Sequence, residues 1–135
     1  MRSIVEEVDG ALGCAVADMR DGGLLGVHHK VRYFTTQYLE AVAAAAVEMF
    51  RGPTVRRVED LISSYRGVES ERLIEEMQMT TRHTFHFMMV LPNYPDAVIV
   101  LITTRDTSLG MGWAAVRRAP LEIEPILAAD VERAR

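Results

Sequence analysis

An α+β sandwich, with a central five-stranded antiparallel sheet and helices on both faces, is the fold this sequence predicts. Three observations lead there. The segments run helix, two strands, helix, helix, three strands, helix, which groups hairpin-linked strands instead of alternating each with a helix. Residues 97–103, AVIVLIT, are apolar at consecutive positions, so both faces of that strand need cover and it belongs mid-sheet between two helical layers. Residues 34–51, FTTQYLEAVAAAAVEMFR, read as one long helix whose only charges are Glu40, Glu48 and Arg51.

Taken in order, residues 3–8 read as a short helix capped by Ser3, with Ile4, Val5 and Val8 on one face and Asp9-Gly10 as its stop. Residues 11–19, ALGCAVADM, read as a buried strand. Asp21-Gly22-Gly23 supply the positive φ angles of a hairpin turn, and residues 24–29 return as the partner strand.

The long helix follows. Thr35 or Thr36 supplies its N-cap, a hydroxyl able to satisfy an orphan amide of the first turn. Gly52-Pro53 ends it, Gly by tolerating a left-handed cap and Pro by being unable to continue the ladder. Tyr38, Leu39, Val42, Val47, Met49 and Phe50 give it bulk, while Ala41 and residues 43–46 give nearly bare surface. So few charges imply cover on more than one side. Two covers are open at this level, the rest of its own domain or, in part, a second chain.

Residues 53–67 place Val55, Val58, Leu61, Ile62 and Tyr65 on one stripe and read as a second helix. In residues 71–81 the trio Leu73, Ile74 and Met77 fits a helix, whereas Met77 and Met79 alternating with Gln78 and Thr80 fit a strand; a strand is expected from Glu75 onward. Arg82-His83 then turns into residues 84–91, TFHFMMVL, an apolar strand closed by residues 92–96 and followed by its antiparallel neighbour, residues 97–103. Asp106-Thr107-Ser108 offers an N-cap to a helix carrying Leu109, Gly110, Trp113, Ala114, Val116 and Arg117. Pro120 and Pro125 interrupt the pattern, so the tail 121–135 is expected as a kinked continuation or a separate short helix. The whole chain, 1–135, is expected to be a single domain, with a core of about residues 3–118 and a C-terminal helical extension over 119–135.

Composition narrows the function class. A 49% apolar and 25% charged chain is ordinary for a soluble globular domain. The formal charge of −4 and a lone lysine, Lys30, leave no basic footprint for nucleic acid. Glu6 and Glu7 stand where a signal peptide would need an apolar run, and no run approaches a membrane span, so no membrane insertion is expected. A single cysteine, Cys14, forms no intrachain disulfide and suits a reducing compartment; a cytoplasmic location is the expectation.

Catalytic and metal-binding constellations are equally sparse. His83 and His86, three apart on a strand, point to opposite faces, and His28-His29-Lys30 reads as a solvated cluster at a strand end. Cys14 sits in an apolar strand, where a thiol behaves as a small hydrophobe. Leu109-Gly110-Met111-Gly112 lacks both the dinucleotide fingerprint and the Lys and Ser/Thr of a phosphate loop, so its glycines read as close helix-to-sheet packing. Met77, Met79, Met88 and Met89 crowd into neighbouring strands, suiting a core or an adaptable contact surface.

Three stretches in sequence carry a resemblance. Val8-Asp9-Gly10-Ala11-Leu12-Gly13 through Val16-Ala17-Asp18 and Asp21-Gly22-Gly23-Leu24-Leu25 is similar to an opening strand, turn and strand. Ile74 to Thr81 leading into Thr84 to Val90 is similar to a middle pair. Val98 to Thr104 followed by Thr107-Ser108-Leu109-Gly110 is similar to a last strand and the start of a final helix. The family they resemble is the roadblock or dynein light-chain family, whose bacterial members include regulators of small Ras-like GTPases. Residues 53–72 are longer than in compact members, and the proline-bearing tail after Arg118 also departs.

The resemblance implies a profilin-like α/β/α sandwich that is a homodimer, its long helix paired with its copy and an edge strand with the equivalent strand. It also implies a small Ras-like GTPase or a scaffold docking on the paired-helix side. On that basis dimer contacts are expected at Tyr38, Leu39, Val42, Ala43, Ala46, Val47 and Phe50, with Met77 and Met79 on the edge strand. Thr36, Glu40 and Arg51 are expected to meet the partner. No catalytic residue, cofactor or metal is called for. The alternative reading is a sensor or small-ligand domain with a pocket between sheet and helices lined by Phe85, Phe87 and Trp113.

Overall fold

A computed structural model describes residues 1–133 and gives the order α1 (Arg2–Glu7), β1 (Ala11–Asp18), β2 (Leu24–His29), α2 (Thr36–Arg51), α3 (Pro53–Tyr65), β3 (Glu76–Thr80), β4 (Thr84–Leu91), β5 (Tyr94–Thr104), α4 (Leu109–Arg118) and α5 (Pro120–Arg133). Every strand pairing is antiparallel and the sheet order is β2-β1-β5-β4-β3. β5, the strand apolar on both faces, is therefore the central one, and β2 and β3 are the edges.

Alternation along β5 splits the core. Ala97, Ile99 and Leu101 point to one side with Cys14, Val16, Phe87, Met89 and Leu91, covered by Ile4 and Val5 of α1, Ala115 and Val116 of α4, and Ile123 of α5. Val98, Val100 and Ile102 point to the other side with Ala17 and Met88, covered by Leu39, Ala43, Ala46 and Phe50 of α2. Gly112 lets α4 lie directly on the sheet, since a Cβ there would overlap the buried ring of Phe87; Gly110 has open space around it.

Several local expectations are revised. Ser3 does not cap α1, which starts after Met1; its hydroxyl donates to Glu122 of α5 and ties the two helices together. Thr35 is the N-cap of α2, accepting from the Tyr38 amide at 3.1 Å. Gly52 is not left-handed. At φ −62°, ψ 158° it is extended, the conformation that a following proline imposes, and Pro53 opens a new helix at once. The β4–β5 turn needs only Pro92 and Asn93, so β5 begins at Tyr94 and the two strands form a longer hairpin than expected. The tail is a separate helix of 14 residues, α5, which carries Pro125 inside it; residues 134–135 of the expected extension lie outside the described residues.

Candidate interaction surface

The rotational phase of α2 decides which of its residues can meet anything else. Leu39, Ala43, Ala46 and Phe50 recur at i, i+4, i+7 and i+11 and are buried against their own sheet. The expectation that these four form the dimer seam is corrected, because their surface is already spent inside the chain: Ala43 and Ala46 are 2% and 1% exposed. Val42 and Val47 are half-buried flanks, and Tyr38 is exposed, stacked on buried Phe34 with ring centroids 5.0 Å apart. Burial raises the Tyr38 phenol above its usual range, and Tyr33 beside it adds to that. The outward face consists of Gln37, Glu40, Ala41, Ala44, Ala45 and Glu48, a low surface with an acid towards each end.

Thr36 and Glu40 are exposed as a partner contact requires. Arg51 is not available in the same way. Its guanidinium donates to the Pro95 carbonyl and faces Asp96 at 3.6 Å, so it fastens the C-terminus of α2 to the start of β5.

α3 is turned in an unexpected direction. Its buried residues are polar, Glu59 and Ser63, while its apolar stripe faces outward: Val58 is 51% exposed, Leu61 44%, Ile62 40% and Tyr65 83%. Glu59 explains the orientation. One carboxylate oxygen accepts from the Leu73 amide and, at 3.3 Å, from the Ile74 amide, and the other accepts from Arg72 at 3.2 Å. Arg72 also donates to Asp60 at 2.8 Å and to Ser70 at 2.7 Å. The Ser70 hydroxyl, then the Arg72 guanidinium, hold the Asp60 carboxyl below the usual carboxylate range. This clasp binds residues 70–74, the approach to β3, along α3. A charged pair inside the fold needs such complete pairing, and satisfying it fixes the polar side of α3 inward.

β3 is the edge strand expected to carry the methionines. Met77 and Met79 are half-buried and pack towards the α2 layer, whereas Glu76 lies on the opposite face and pairs with Arg117 of α4 at 2.7 Å. Hydrogen bonds from Arg117 hold the Glu76 carboxyl below its ordinary range, and the same guanidinium lies 5.1 Å over the Trp113 ring. The far side of β3 has no neighbouring strand among the described residues.

Chemistry of the catalytic kind has little to work with. Cys14 is buried and its thiol is pushed up to about 12 by loss of water. His86 is buried, bonded to the Thr84 hydroxyl at 3.1 Å and held below its usual value by burial, while His83 is exposed. Among the described residues no group of three or more His, Cys, Asp and Glu could hold a metal, and no helix is long and apolar enough to cross a membrane. The place proposed for a ligand pocket is filled: Phe87 is fully buried, and its ring meets Trp113 edge-on with centroids 5.4 Å apart. A groove of about 610 Å³ at the start of β3 has Arg51, Arg72 and Arg117 around it, each already spent on a carboxylate or carbonyl.

Sequence reasoning missed the outward residues that matter here: Ala44, Ala45 and Glu48 of α2, and the exposure of Leu61 and Ile62. For α2 the signal was ambiguous, since the stripe Tyr38, Val42, Ala45 and Met49 has large side chains at both ends just as the stripe through Leu39 and Phe50 does. For α3 the signal was Glu59, a carboxylate one position from the apolar stripe, which no periodicity count weighs.

No protein-family model matches the sequence, and no curated protein does. A Roadblock/LC7 domain from Streptomyces avermitilis superposes with a TM-score of 0.69 at 14% identity, over 95% of this chain and 94% of that one. MglB of Myxococcus xanthus gives 0.64 at 13% identity, over 94% of each. The gliding protein MglB of Thermus thermophilus gives 0.63 at 15% identity, over 88% of this chain and 78% of that one. At such identities the likeness speaks for architecture alone, and on that footing the chain has the roadblock fold.

Proposed function

We propose that this chain is a non-enzymatic regulatory or scaffold protein of the cytoplasm that works as a homodimer and binds a small Ras-like GTPase or an associated complex. One observation carries the reading: a single side of the molecule combines an outward helical layer rich in alanine and apolar side chains with an open edge strand, β3. Isolated surface apolar residues mean little, but a contiguous patch of this kind marks a contact surface. Pairing of β3 with a second β3 would continue the sheet, with Met77 and Met79 beside the seam, Tyr38, Val42 and Val47 on the flanks of α2, and Thr36 and Glu40 exposed on the same helix. Proteins of like fold include MglC of Myxococcus xanthus and MglB in a tetrameric arrangement, the second of which supports self-association for this architecture.

The test has two arms. Sedimentation reads the dimer; a monomer at up to roughly 100 µM, well above the micromolar range where ordinary interfaces hold, removes it. For the partner, the small Ras-like GTPase encoded nearest the gene is titrated in its GDP form and with a non-hydrolysable GTP analogue. Binding to one form, weakened by Thr36→Arg and Glu40→Lys, is the expected result. Failure to bind either form overturns the GTPase assignment.

A further inference from the structure

The orientation of α3 leaves a cationic, apolar ridge on the outside of the fold. We propose that α3 lays this ridge on an anionic membrane surface and so holds the chain at a bilayer without crossing it. None of the residues given above to the second copy or to the GTPase lies on α3.

The apolar part is continuous. Val58, Leu61, Ile62 and Tyr65 recur at i, i+3, i+4 and i+7, Val68 extends the stripe past the end of the helix, and all five are exposed. The 13 residues of α3 span about 20 Å at 1.5 Å per residue. That is too short to cross a bilayer but enough to lie in its headgroup layer, as short helices with one apolar and one polar side do. Tyr65, 83% exposed, joins an apolar ring to a hydroxyl that belongs on the wet side of such a layer.

The charge on this ridge is positive and uncompensated. Arg57 stands one turn before Leu61 and Arg66 follows Tyr65, and both are exposed, as is Arg56. Among the described residues these three form no ion pair and no side-chain hydrogen bond. Arg56 and Arg57 line a cleft of about 390 Å³ that opens onto Leu61 at the elbow between α2 and α3. The acids nearby are withdrawn. Glu59 is buried, Asp60 is taken by Arg72 and Ser70, and Glu69 and Glu71 come after Gly67, whose positive φ of 70° turns the chain back along the clasped side. The first turn of α3 has no acidic residue either, so the positive end of the helix dipole adds to the arginines.

This charge selects the occupant. Two α3 helices packed antiparallel about Leu61 and Ile62 would set Arg57 of each against Arg66 of the other, and a parallel pair would set Arg57 against Arg57, both like-charge arrangements. An anionic bilayer instead takes up the apolar side chains and neutralises the arginines together, and a planar surface meets a projecting ridge without needing a groove. Within the chain the Glu59 clasp makes the ridge available, because it fixes the polar side of α3 inward.

The experiment is co-sedimentation of the full chain with vesicles of equal parts phosphatidylglycerol and phosphatidylcholine, beside vesicles of phosphatidylcholine alone. Binding to the first and not to the second is expected, weakening as salt is raised. Arg57→Gln and Arg66→Gln should each lower the affinity about fivefold, the worth of one basic side chain at an anionic surface. Leu61→Glu should lower it at least as far. Leu121→Glu removes an equally projecting side chain from α5, 83% exposed, and should leave vesicle binding unchanged. Binding to neither vesicle, or to both alike, overturns the proposal. So does a Leu61→Glu chain that changes its oligomeric state and not its vesicle binding, which gives the ridge to a second copy, or an Arg57→Gln chain that loses affinity for the GTPase and not for vesicles, which gives it to an acidic protein. The homodimer and GTPase readings stand or fall by their own tests.

Discussion

At the scale of single residues, Glu59 is the most consequential side chain outside the apolar core. Its burial is offset only by the Leu73 and Ile74 amides and the Arg72 guanidinium, so removing it leaves two backbone amides without their acceptor and takes one contact from Arg72, which keeps Asp60 and Ser70. Glu59→Ala is expected to cost about 3 kcal/mol, the range for breaking a buried charged pair from one side. Denaturant unfolding measures it, and a loss within error of zero would show that water replaces the carboxylate. Ser63, one turn on, is the opposite case: among the described residues its buried hydroxyl has no partner. Ser63→Ala is expected to be neutral, or to stabilise by up to about 1 kcal/mol, since an unpaired buried hydroxyl contributes only its desolvation.

His86 gives the chain a pH response of definite sign. Burial holds its imidazole below the ordinary value, so in the folded protein it stays neutral where the unfolded chain has begun to take up a proton. Stability from this group is whole above the unfolded pKa of about 6.5 and is lost as pH falls from there through the lower folded value. The melting midpoint should therefore drop between about pH 7 and pH 5.5, a range above the titration of ordinary carboxylates. In His86→Gln that part of the slope should flatten. Equal slopes in the two proteins would remove His86 as the source.

At the scale of elements, how much could be read from the sequence depended on where each element's cover comes from. β5 was legible because two covered faces demand apolar residues at every position, and its central place follows from that demand. β4 was legible as an apolar strand, and β3 as a strand by the alternation of Met77 and Met79 with Gln78 and Thr80. α2 was legible as a helix but its phase was not, because Ala is compatible with a core, a seam or open water. Ala43 and Ala44 look alike in sequence, yet one is buried under the sheet side and the other faces out. α3 shows the converse: its apolar stripe was read correctly, but a stripe says nothing about the molecule it meets, and Glu59 overrode the usual inference that apolar means inward. Gly52 and the Pro92-Asn93 turn were missed for different reasons. For Gly52 the signal was in the sequence, since the proline after it disfavours a helical or left-handed cap, whereas the tightness of the Pro92-Asn93 turn is set by backbone angles that composition does not report.

The packing of α4 allows a further test at this scale. Gly112 is where the helix comes closest to the sheet, over the fully buried Phe87, whose ring also braces Trp113. Gly112→Ala would gain helix propensity but force the ring aside, and overpacking a tight core is expected to win by about 1–3 kcal/mol. A drop in the unfolding midpoint with altered Trp113 fluorescence is the expected result. Unchanged stability would mean that α4 rises off the sheet without penalty.

For the whole molecule, the uneven cover of the sheet sets an order of local stability. One face carries α1, α4 and α5, where Ser3 and the Met1 amino group on Glu122 tie α1 to α5 and Arg117 on Glu76 ties α4 to the edge strand β3. The other face carries α2, while α3 lies with its apolar side to solvent, held mainly by α2 and the Glu59 clasp. Local opening is easiest where apolar burial is least, so amide exchange should be slowest in β1 and β5 and much faster in α3 of the dilute chain. If an anionic bilayer covers α3, its amides should slow as phosphatidylglycerol vesicles are added, while those of β5 stay as they were, because binding adds to the free energy of opening only where the bound surface must come away. Exchange read by mass spectrometry across a vesicle titration separates the possibilities. Protection of α3 equal to that of β5 without vesicles would make α3 part of the chain's own core, and protection that stays low at every vesicle concentration would leave its apolar side without a bilayer to meet.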